Sequence, residues 1–495
     1  MFLDKIQKVH LIGIGGIGVS AVAKLLKVTG REVSGSDIGE SETIEELKAL
    51  GITVYKGQAA ENIEDELDLI VYTSAAPENN PERVEGKKRG IKELSYFEFL
   101  GEYSKDKRTV AVSGTHGKST VTAMLGLMAA EAGLDPTVIV GSKVKNFQYG
   151  NLRIGQSNLF IVEACEHMAN MLHINPEMIV LTNIEEDHLD YYKNLDNIMA
   201  AFRKYVQKLP ANGKLIFNAD DENVREVVKS FDGEKIGFGI KSPPPPLRKG
   251  EDDSLPLEKG VPPMRIGGEG FLLAKEIRVD DGFQKYHFAG HDYILRVPGM
   301  YNAYNAFAAS TAAIALGVSP EAIKKTLEHF RGIWRRFEII GERDGALIIS
   351  DYGHHPTAVR ETIAGARGFY PGRRLVLAFQ PHHRNRTKNL FKEFTECFDG
   401  ADVLVLTEIF DVAGREGDAD ADVSSKDLIE PIKARWNAQR SQSHAKRRGT
   451  VKEIHFAANP AETREKLLQI MRPGDIIIIM GAGDIYKIAN QLAQK

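Results

Sequence analysis

The hydrophobic positions of this chain fall into short strand-length runs joined by glycine turns and stretches of helical spacing. Val9-His-Leu-Ile-Gly13 is such a run, residues 19–29 carry apolar side chains at helical spacing, and Glu32-Val-Ser-Gly-Ser-Asp37 reads as the next strand. That is a strand, turn, helix, strand unit. The rhythm continues through Ile52-Thr-Val-Tyr55 and Leu69-Ile-Val-Tyr-Thr73, which predicts a small parallel-sheet domain over residues 1–105. A second sheet starts at Thr109-Val-Ala-Val-Ser113, whose glycine turn feeds a helix over 121–132. Further buried-type strands at 159–162, 178–182 and 214–217 fill out a larger central α/β domain over 106–331. A third group of strands, at 346–350, 374–379, 403–406 and 476–480, places a last domain at 332–495, with its boundary near Gly332. The expected class is α/β with three domains.

Two stretches break the rhythm. Residues 241–263, with Lys241-Ser-Pro-Pro-Pro-Pro246 and Pro262-Pro263, are too rich in proline and charge for helix or interior strand and read as an exposed insertion. Residues 435–448 are basic and polar, which reads as a solvated loop or helix end rather than a nucleic-acid patch.

Both glycine turns sit where they can hold phosphate. Gly13-Ile-Gly15-Gly16-Ile-Gly18 lies between a strand and a helix, where small residues let the backbone approach a phosphate at the helix N-terminus. Asp37 ends the following strand, placed to accept from ribose hydroxyls. Alone, this pattern describes a dinucleotide-binding dehydrogenase. Ser113-Gly114-Thr115-His116-Gly117-Lys118-Ser119-Thr120 then supplies the Gly-Lys-Ser core of a P-loop, although the usual first glycine would fall at Val112. Lys118 would neutralise β/γ-phosphate oxygens and the Ser119 hydroxyl would face Mg²⁺. A dehydrogenase has no use for that loop, so the pair of turns implies two phosphorylated ligands. Glu163 ends one neighbouring strand, and Asn183-Ile-Glu-Glu-Asp-His188-Leu-Asp190 follows another. In a parallel sheet these ends open on the P-loop side, so Glu163 and His188 become candidate metal ligands with Ser119. Glu166, His167 and Asp190 are expected to be solvated or to stand behind the ligands.

Composition narrows the class further. Lys+Arg 64 against Asp+Glu 68 gives a formal charge of −4, so no chain-wide basic field serves nucleic acid or an anionic membrane. Cys165 and Cys397 are the only cysteines, too few for a disulfide framework and in keeping with a reducing cytoplasm. The longest apolar run, 475–480, is far below the roughly 20 residues that span a bilayer.

The order of motifs resembles the Mur ligase family across nearly the whole chain. It runs Gly13-x-Gly-Gly-x-Gly18, Gly114-Thr-His-Gly-Lys118-Ser-Thr, Glu163-Ala, Asn183-Ile-Glu-x-Asp-His188, Asn302-x-x-Asn305, Arg335-Arg-Phe-Glu338, Asp351-Tyr-Gly-His-His-Pro356, Phe379-Gln-Pro-His and Gly481-Ala-Gly-Asp484. The resemblance implies a Rossmann-like UDP-sugar domain, a central P-loop ATPase-type domain with a parallel or mixed sheet, and a Rossmann-like C-terminal amino-acid domain. It implies ATP-dependent amide formation through an acyl phosphate, in peptidoglycan precursor synthesis. The matching branch joins L-alanine to the carboxylate of UDP-N-acetylmuramate; a tripeptide-recycling branch and a ligation-deficient nucleotide-binding regulator are the alternatives. Mg²⁺ or Mn²⁺, a cytoplasmic location and a monomer or weak homodimer are expected.

Residue by residue, the resemblance carries Gly114, Thr115, Gly117, Lys118, Ser119, Thr120, Asn302, Asn305, Arg336 (or its neighbour Arg335) and Asp351 to ATP. Gly13, Gly15, Gly16, Gly18, Asp37 and Ser74 go to the UDP-sugar, and Tyr352, His382 and Arg386 to the amino acid. Lys118, Glu163, His188 and His354 are the catalytic candidates. The chain departs from the family at Cys165, where Asp is usual, at Tyr301, where His is common, and along Phe379-Gln-Pro-His382-His383-Arg384-Asn385-Arg386, where one arginine is absent or shifted.

Overall fold

The computed structural model describes residues 2–240, 264–266, 269–280, 283–410, 422–442 and 453–494. The expected insertion at 241–263 and the basic residues 443–448 lie outside them. The chain forms two compact units, one of residues 1–277, 286–294 and 304–329, the other of 278–285, 295–303 and 330–495.

The first unit begins with a five-stranded parallel sheet: β1 (Lys8–Ile12), β2 (Glu32–Asp37), β3 (Thr53–Lys56), β4 (Leu69–Tyr72) and β5 (Lys92–Ser95), in the order β3-β2-β1-β4-β5. Helices α1 (Ile17–Val28), α2 (Glu42–Ala49), α3 (Pro81–Lys88) and α4 (Tyr96–Ser104) connect or flank these strands. Their starts are written locally. Asn80 caps α3 ahead of Pro81 by accepting from the Glu82 and Arg83 amides, and Ser95 with Glu98 forms a reciprocal capping box on α4. The strand order reverses between β1 and β4, so the loops after these two strands flank the crevice where open parallel sheets take ligands.

The same unit holds a nine-stranded sheet. Its elements are β6 (Arg108–Ser113), α5 (Lys118–Glu131), β7 (Thr137–Ile139), β8 (Leu152–Arg153), β9 (Leu159–Glu163), β10 (Met178–Leu181), α6 (Leu189–Tyr192), α7 (Leu195–Val206), β11 (Lys214–Asn218), α8 (Glu222–Val228), β12 (Glu234–Gly239), β13 (Met264–Ile266) and β14 (Glu269–Leu273). The order is β13-β14-β12-β11-β10-β6-β9-β7-β8, antiparallel only at β13/β14 and β7/β8. Strand β6 therefore lies between β9 and β10, with Val112 opposite Glu163 and Ser113 opposite Leu181. One apolar core runs through both sheets, from Val9, Leu11 and Leu69 through Phe99 and Tyr103 to Phe160, Ile179 and Phe202. Tyr103 meets Phe160 edge to face, with centroids 4.9 Å apart.

A three-stranded sheet follows in the order β15 (Lys275–Asp280), β16 (Phe283–Phe288), β17 (His291–Leu295), then α9 (Met300–Ala315) and α10 (Pro320–His329). The last sheet comprises β18 (Glu338–Arg343), β19 (Ala346–Asp351), β20 (Leu375–Phe379), β21 (Val403–Thr407), β22 (Glu453–Ala457) and β23 (Ile476–Met480). Its order is β18-β19-β23-β20-β21-β22, with β18 alone antiparallel. Helices α11 (Pro356–Phe369), α12 (Arg384–Asn389), α13 (Phe391–Glu396), α14 (Ile429–Gln442), α15 (Pro460–Ile470) and α16 (Tyr486–Ala493) accompany it. Separate apolar clusters line the two faces of this sheet, so β23 reads as an unbroken Ile-Ile-Ile-Ile-Met run, buried on both sides. Arg435 lies midway along α14, bound in fork geometry to Asp399, and Trp436 beside it is buried in the core, so residues 435–442 are the second half of a packed helix rather than a solvated stretch. Among the described residues no helix is long and apolar enough to cross a membrane.

Candidate functional site

The loop between β6 and α5 owes its shape to two glycines and to the segment that leaves β10. Gly114 has φ +135° and Gly117 φ +84°; a Cβ would fall 2.1 Å from Thr182 Oγ1 at the first and 2.3 Å from Asn305 Oδ1 at the second. The His116 amide donates to Asn183 Oδ1 at 2.8 Å, the Thr182 hydroxyl donates to the His116 carbonyl at 2.6 Å, and the Glu185 amide donates to Thr115 Oγ1 at 2.9 Å. Helix α5 starts at Gly117 with no side-chain cap, so its first amides and the positive end of its dipole are offered to an anion.

Lys118 opens that helix. Its Nζ donates to the carbonyls of Gly114 at 2.7 Å and Thr115 at 2.9 Å, and pairs with Glu166 Oε2 at 2.8 Å. Burial alone would depress its pKa, but the charge and hydrogen bond of Glu166, with the charge of Glu163, outweigh that and hold the ammonium above its usual value. His188, in the left-handed region at φ 52°, places Nε2 3.7 Å from Glu166 Oε1, with the His167 ring 4.4 Å away between centroids. Glu163, at the end of β9, accepts from the Gly141 amide at 2.8 Å. The Cys165 thiol is pushed up to about 12, chiefly by burial, so it is no nucleophile.

The first glycine turn stands over the β1/β4 crevice. The Gly15 amide donates to Asp37 Oδ2 at 2.9 Å and the Gly39 amide to Oδ1 at 3.0 Å, so Asp37 is held beside the turn. Gly13 has φ +75°, and Gly18 lies against Tyr96, whose ring would be 2.7 Å from an added Cβ. Ser74 is exposed in the turn after β4. Behind the turn, buried Lys24 on α1 reaches Glu46 at 2.8 Å, the Tyr149 carbonyl at 3.1 Å and Asn151 Oδ1 at 3.2 Å. Asn151 donates back to Ser20 and to the Ile17 carbonyl. Lys143 adds ion pairs to Glu46 at 2.7 Å and Glu42 at 3.0 Å. The segment that donates to Glu163 through Gly141 is thus tied to α1 and α2.

In the second unit a cluster forms at the carboxyl ends of β19 and β20. Asp351 accepts from the amides of Phe337 and Gly353, each at 2.7 Å, and burial pushes its carboxyl up against the opposing charge of Arg336. Tyr352 and His354 lie edge to face at 5.3 Å between centroids, and His382 lies 5.9 Å from His354 and stacks on Phe410 at 5.7 Å. The structure separates the two neighbouring arginines. Arg335 is buried, donates to the carbonyls of Gly481 and Gly483, and lies 4.3 Å from the Tyr486 ring centroid, whereas Arg336 is exposed beside Tyr352. Arg386 is half-buried on α12. Asn302 donates to the Pro298 carbonyl at 2.7 Å.

Three family models match the chain: "Mur ligase family, catalytic domain" over residues 8–108, "Mur ligase middle domain" over 112–313 and "Mur ligase, glutamate ligase domain" over 335–483. The chain belongs to the Mur ligase family. This Mur ligase is 39% identical over 489 residues to the UDP-N-acetylmuramate–L-alanine ligase of Acetivibrio thermocellus, covering 98% of this chain and 96% of that one. It is 36% identical to the enzyme of that name from Alkaliphilus metalliredigens, over 99% and 97% of the two chains. The crystal structure of the UDP-N-acetylmuramate-alanine ligase of Thermotoga maritima superposes with a TM-score of 0.77 at 25% identity, over 98% of each chain. The fold is the family's three-domain α/β fold.

Mur ligases use ATP and Mg²⁺. Among the described residues no three His, Cys, Asp or Glu side chains form a metal-holding group. Mg²⁺ takes one or two protein oxygens and completes its shell with phosphate and water. Ser119, at the first turn of α5, and Glu163, at the end of adjacent β9, are the oxygen-bearing side chains that could hold such an ion. Thr182 and Asn183 are the residues of the loop cradle that sequence reasoning gave no role; an Asn just past a strand next to the P-loop strand was the available signal. Of the two positions expected for Glu166, the solvated one fails: it is 3% exposed, pairs with Lys118 and stands 3.7 Å behind His188. The side chain of Asp190 lies outside the described residues.

Proposed function

We propose that the chain is an ATP-dependent ligase that joins L-alanine to the carboxylate of UDP-N-acetylmuramate. The observation that carries this is the pairing, in one compact unit, of a P-loop bearing a buried Lys118 with a second glycine turn over its own parallel sheet. Two separate phosphate cradles suit ATP and a nucleotide sugar, and the full-length relatives name the sugar and the amino acid.

Residues 1–105 take the UDP-sugar through Gly13, Gly15, Gly16, Gly18, Asp37 and Ser74, 106–331 take ATP, and 332–495 take alanine. The muramyl carboxylate attacks the γ-phosphate, giving an acyl phosphate and ADP; the alanine amine then attacks the acyl carbon, phosphate leaves, and an amide bond forms. Lys118 and the amides at the start of α5 hold the transferring phosphoryl group and offset its growing charge. Ser119 and Glu163 would hold one Mg²⁺, and His188 would serve a second ion, for which Mn²⁺ would also be suited. The metal, when bound, neutralises phosphate charge. Asn302 and Asn305 are assigned to adenine, whose donor and acceptor edge suits side-chain amides, and Arg336 and Asp351 to the nucleotide. Tyr352, His354 and His382 surround the amino acid, with Arg386 pairing its carboxylate. The enzyme works in the cytoplasm as a monomer or weak homodimer.

Phosphate release measured with ATP, UDP-N-acetylmuramate and each amino acid in turn tests this reading. Release should depend on the nucleotide sugar and be fastest with L-alanine, with serine and glycine as weaker substrates, since a methyl gives little to discriminate by. Release that a tripeptide supports and alanine does not would assign the recycling reaction instead. Release indifferent to every acceptor would end the ligase reading.

A further inference from the structure

Glu166 has no place in the mechanism above, yet it makes the closest ionic contact to Lys118. An ammonium has three protons, and Lys118 Nζ lies within 2.9 Å of three oxygens: the carbonyls of Gly114 and Thr115 and the carboxylate of Glu166. A phosphate oxygen that reaches this ammonium must take the place of one of them. Two belong to the loop that would itself cradle the phosphate. The third is an anion, and keeping it in contact would crowd two negative charges onto one positive charge in a water-poor site. The carboxylate is the partner that has to yield. Its backbone is held while the side chain moves: Tyr192 donates to the Glu166 main-chain carbonyl at 2.5 Å and accepts from the Ala169 amide at 3.2 Å.

We propose that Glu166 is a positioning residue, a latch that holds Lys118 against the loop and gives way to the nucleotide's phosphates, so that this ion pair sets nucleotide affinity. The proposal rests on loop 114–120 being the ATP site. A partner that must be released lowers apparent affinity by the fraction of molecules in which the lysine is free. Glu166→Gln keeps the shape and removes the charge, so it should tighten ADP binding by about tenfold.

The experiment is calorimetric titration of the full chain with ADP in EDTA, for the wild type, Glu166→Gln, Lys118→Ala and the double variant. Thermal melts in parallel report folding. Expected are tighter binding for Glu166→Gln, weaker binding for Lys118→Ala, and a gain from Glu166→Gln that falls below about twofold once Lys118 is already alanine, because nothing is left to release. A merely structural role would lower the melting temperature and leave binding equal or weaker, never tighter. Unchanged or weaker ADP binding by Glu166→Gln overturns the latch, and so does a gain as large or larger in the Lys118→Ala background. Should Glu166→Gln not fold, Glu166→Asp, whose shorter stem draws the charge back, should give a smaller tightening, and its absence overturns the latch equally. If Lys118→Ala binds ADP as the wild type does, the nucleotide-site reading itself has failed.

Discussion

Gly117 shows how narrowly a single residue can be specified. Its φ of +84° costs any other residue roughly 1–2 kcal/mol, and a methyl group there would meet Asn305 Oδ1 at 2.3 Å. Gly117→Ala should therefore destabilise the protein by about 2 kcal/mol and weaken nucleotide binding as well, because the contact it disrupts is with a proposed adenine-binding residue. Denaturant titration and ADP titration together check this; loss of stability with binding intact would place Asn305 elsewhere. Glycines of this kind were legible in the sequence, because a P-loop spacing demands them. The division between Arg335 and Arg336 was not. Adjacent identical side chains carry no pattern, and only the fold shows one spent on the carbonyls of Gly481 and Gly483 and the other left exposed. The pairing of Glu166 with Lys118 escaped for a related reason: its spacing from Glu163 says nothing of the lysine that the glycine turn delivers beside it.

At the scale of elements, β1, β4, β6, β9, β10, β20, β21 and β23 were readable as apolar runs, since strands buried on both faces lose alternation. Of the strands that escaped, some are charged or very short, such as Lys-Glu-Leu-Ser in β5, two residues in β8, and Lys-Glu-Ile-Arg-Val-Asp in β15; others, such as Glu-Ile-His-Phe-Ala in β22, mix polar and apolar positions too evenly to stand out. The first sheet also buries polar groups that apolar patterning cannot announce. Glu82 is fully buried, 3.7 Å from His10 Nε2, and accepts from Ser36 at 2.5 Å and Asn62 at 2.6 Å. Burial would raise its pKa, but these three partners more than offset that and hold the carboxyl below the usual glutamate value. An acid whose pKa is lowered on folding contributes stability that is present above its unfolded value, about 4.3, and is lost as pH falls through the folded one. The wild type should thus lose stability steeply on acidification below about pH 4.3. Glu82→Gln should be less stable at neutral pH and show a shallower acid limb, as read by urea unfolding at a series of pH values; parallel limbs would mean that Glu82 is not the group responsible.

At the scale of the molecule, the motif order announced three domains, while packing gathers the first two sheets around one core. Shared burial makes opening cooperative, so amides of β1 and β6 should exchange with solvent at the same limiting free energy. Native-state hydrogen exchange read by mass spectrometry decides this: markedly earlier exchange of β1–β5 would show that the two sheets open independently.

The seam between these sheets is close work. Gly101 on α4 leaves room for the His173 carbonyl, which would lie 2.5 Å from a Cβ, and Asn175 donates to the Gly101 carbonyl at 3.1 Å. For anyone recombining related enzymes, the consequence is that the first sheet with its helices is not an exchangeable cassette. A graft of residues 1–105 onto a foreign ATPase would need the recipient's counterparts of His173, Asn175 and Phe160 to travel with it, and the natural crossover point falls after the central sheet rather than before it.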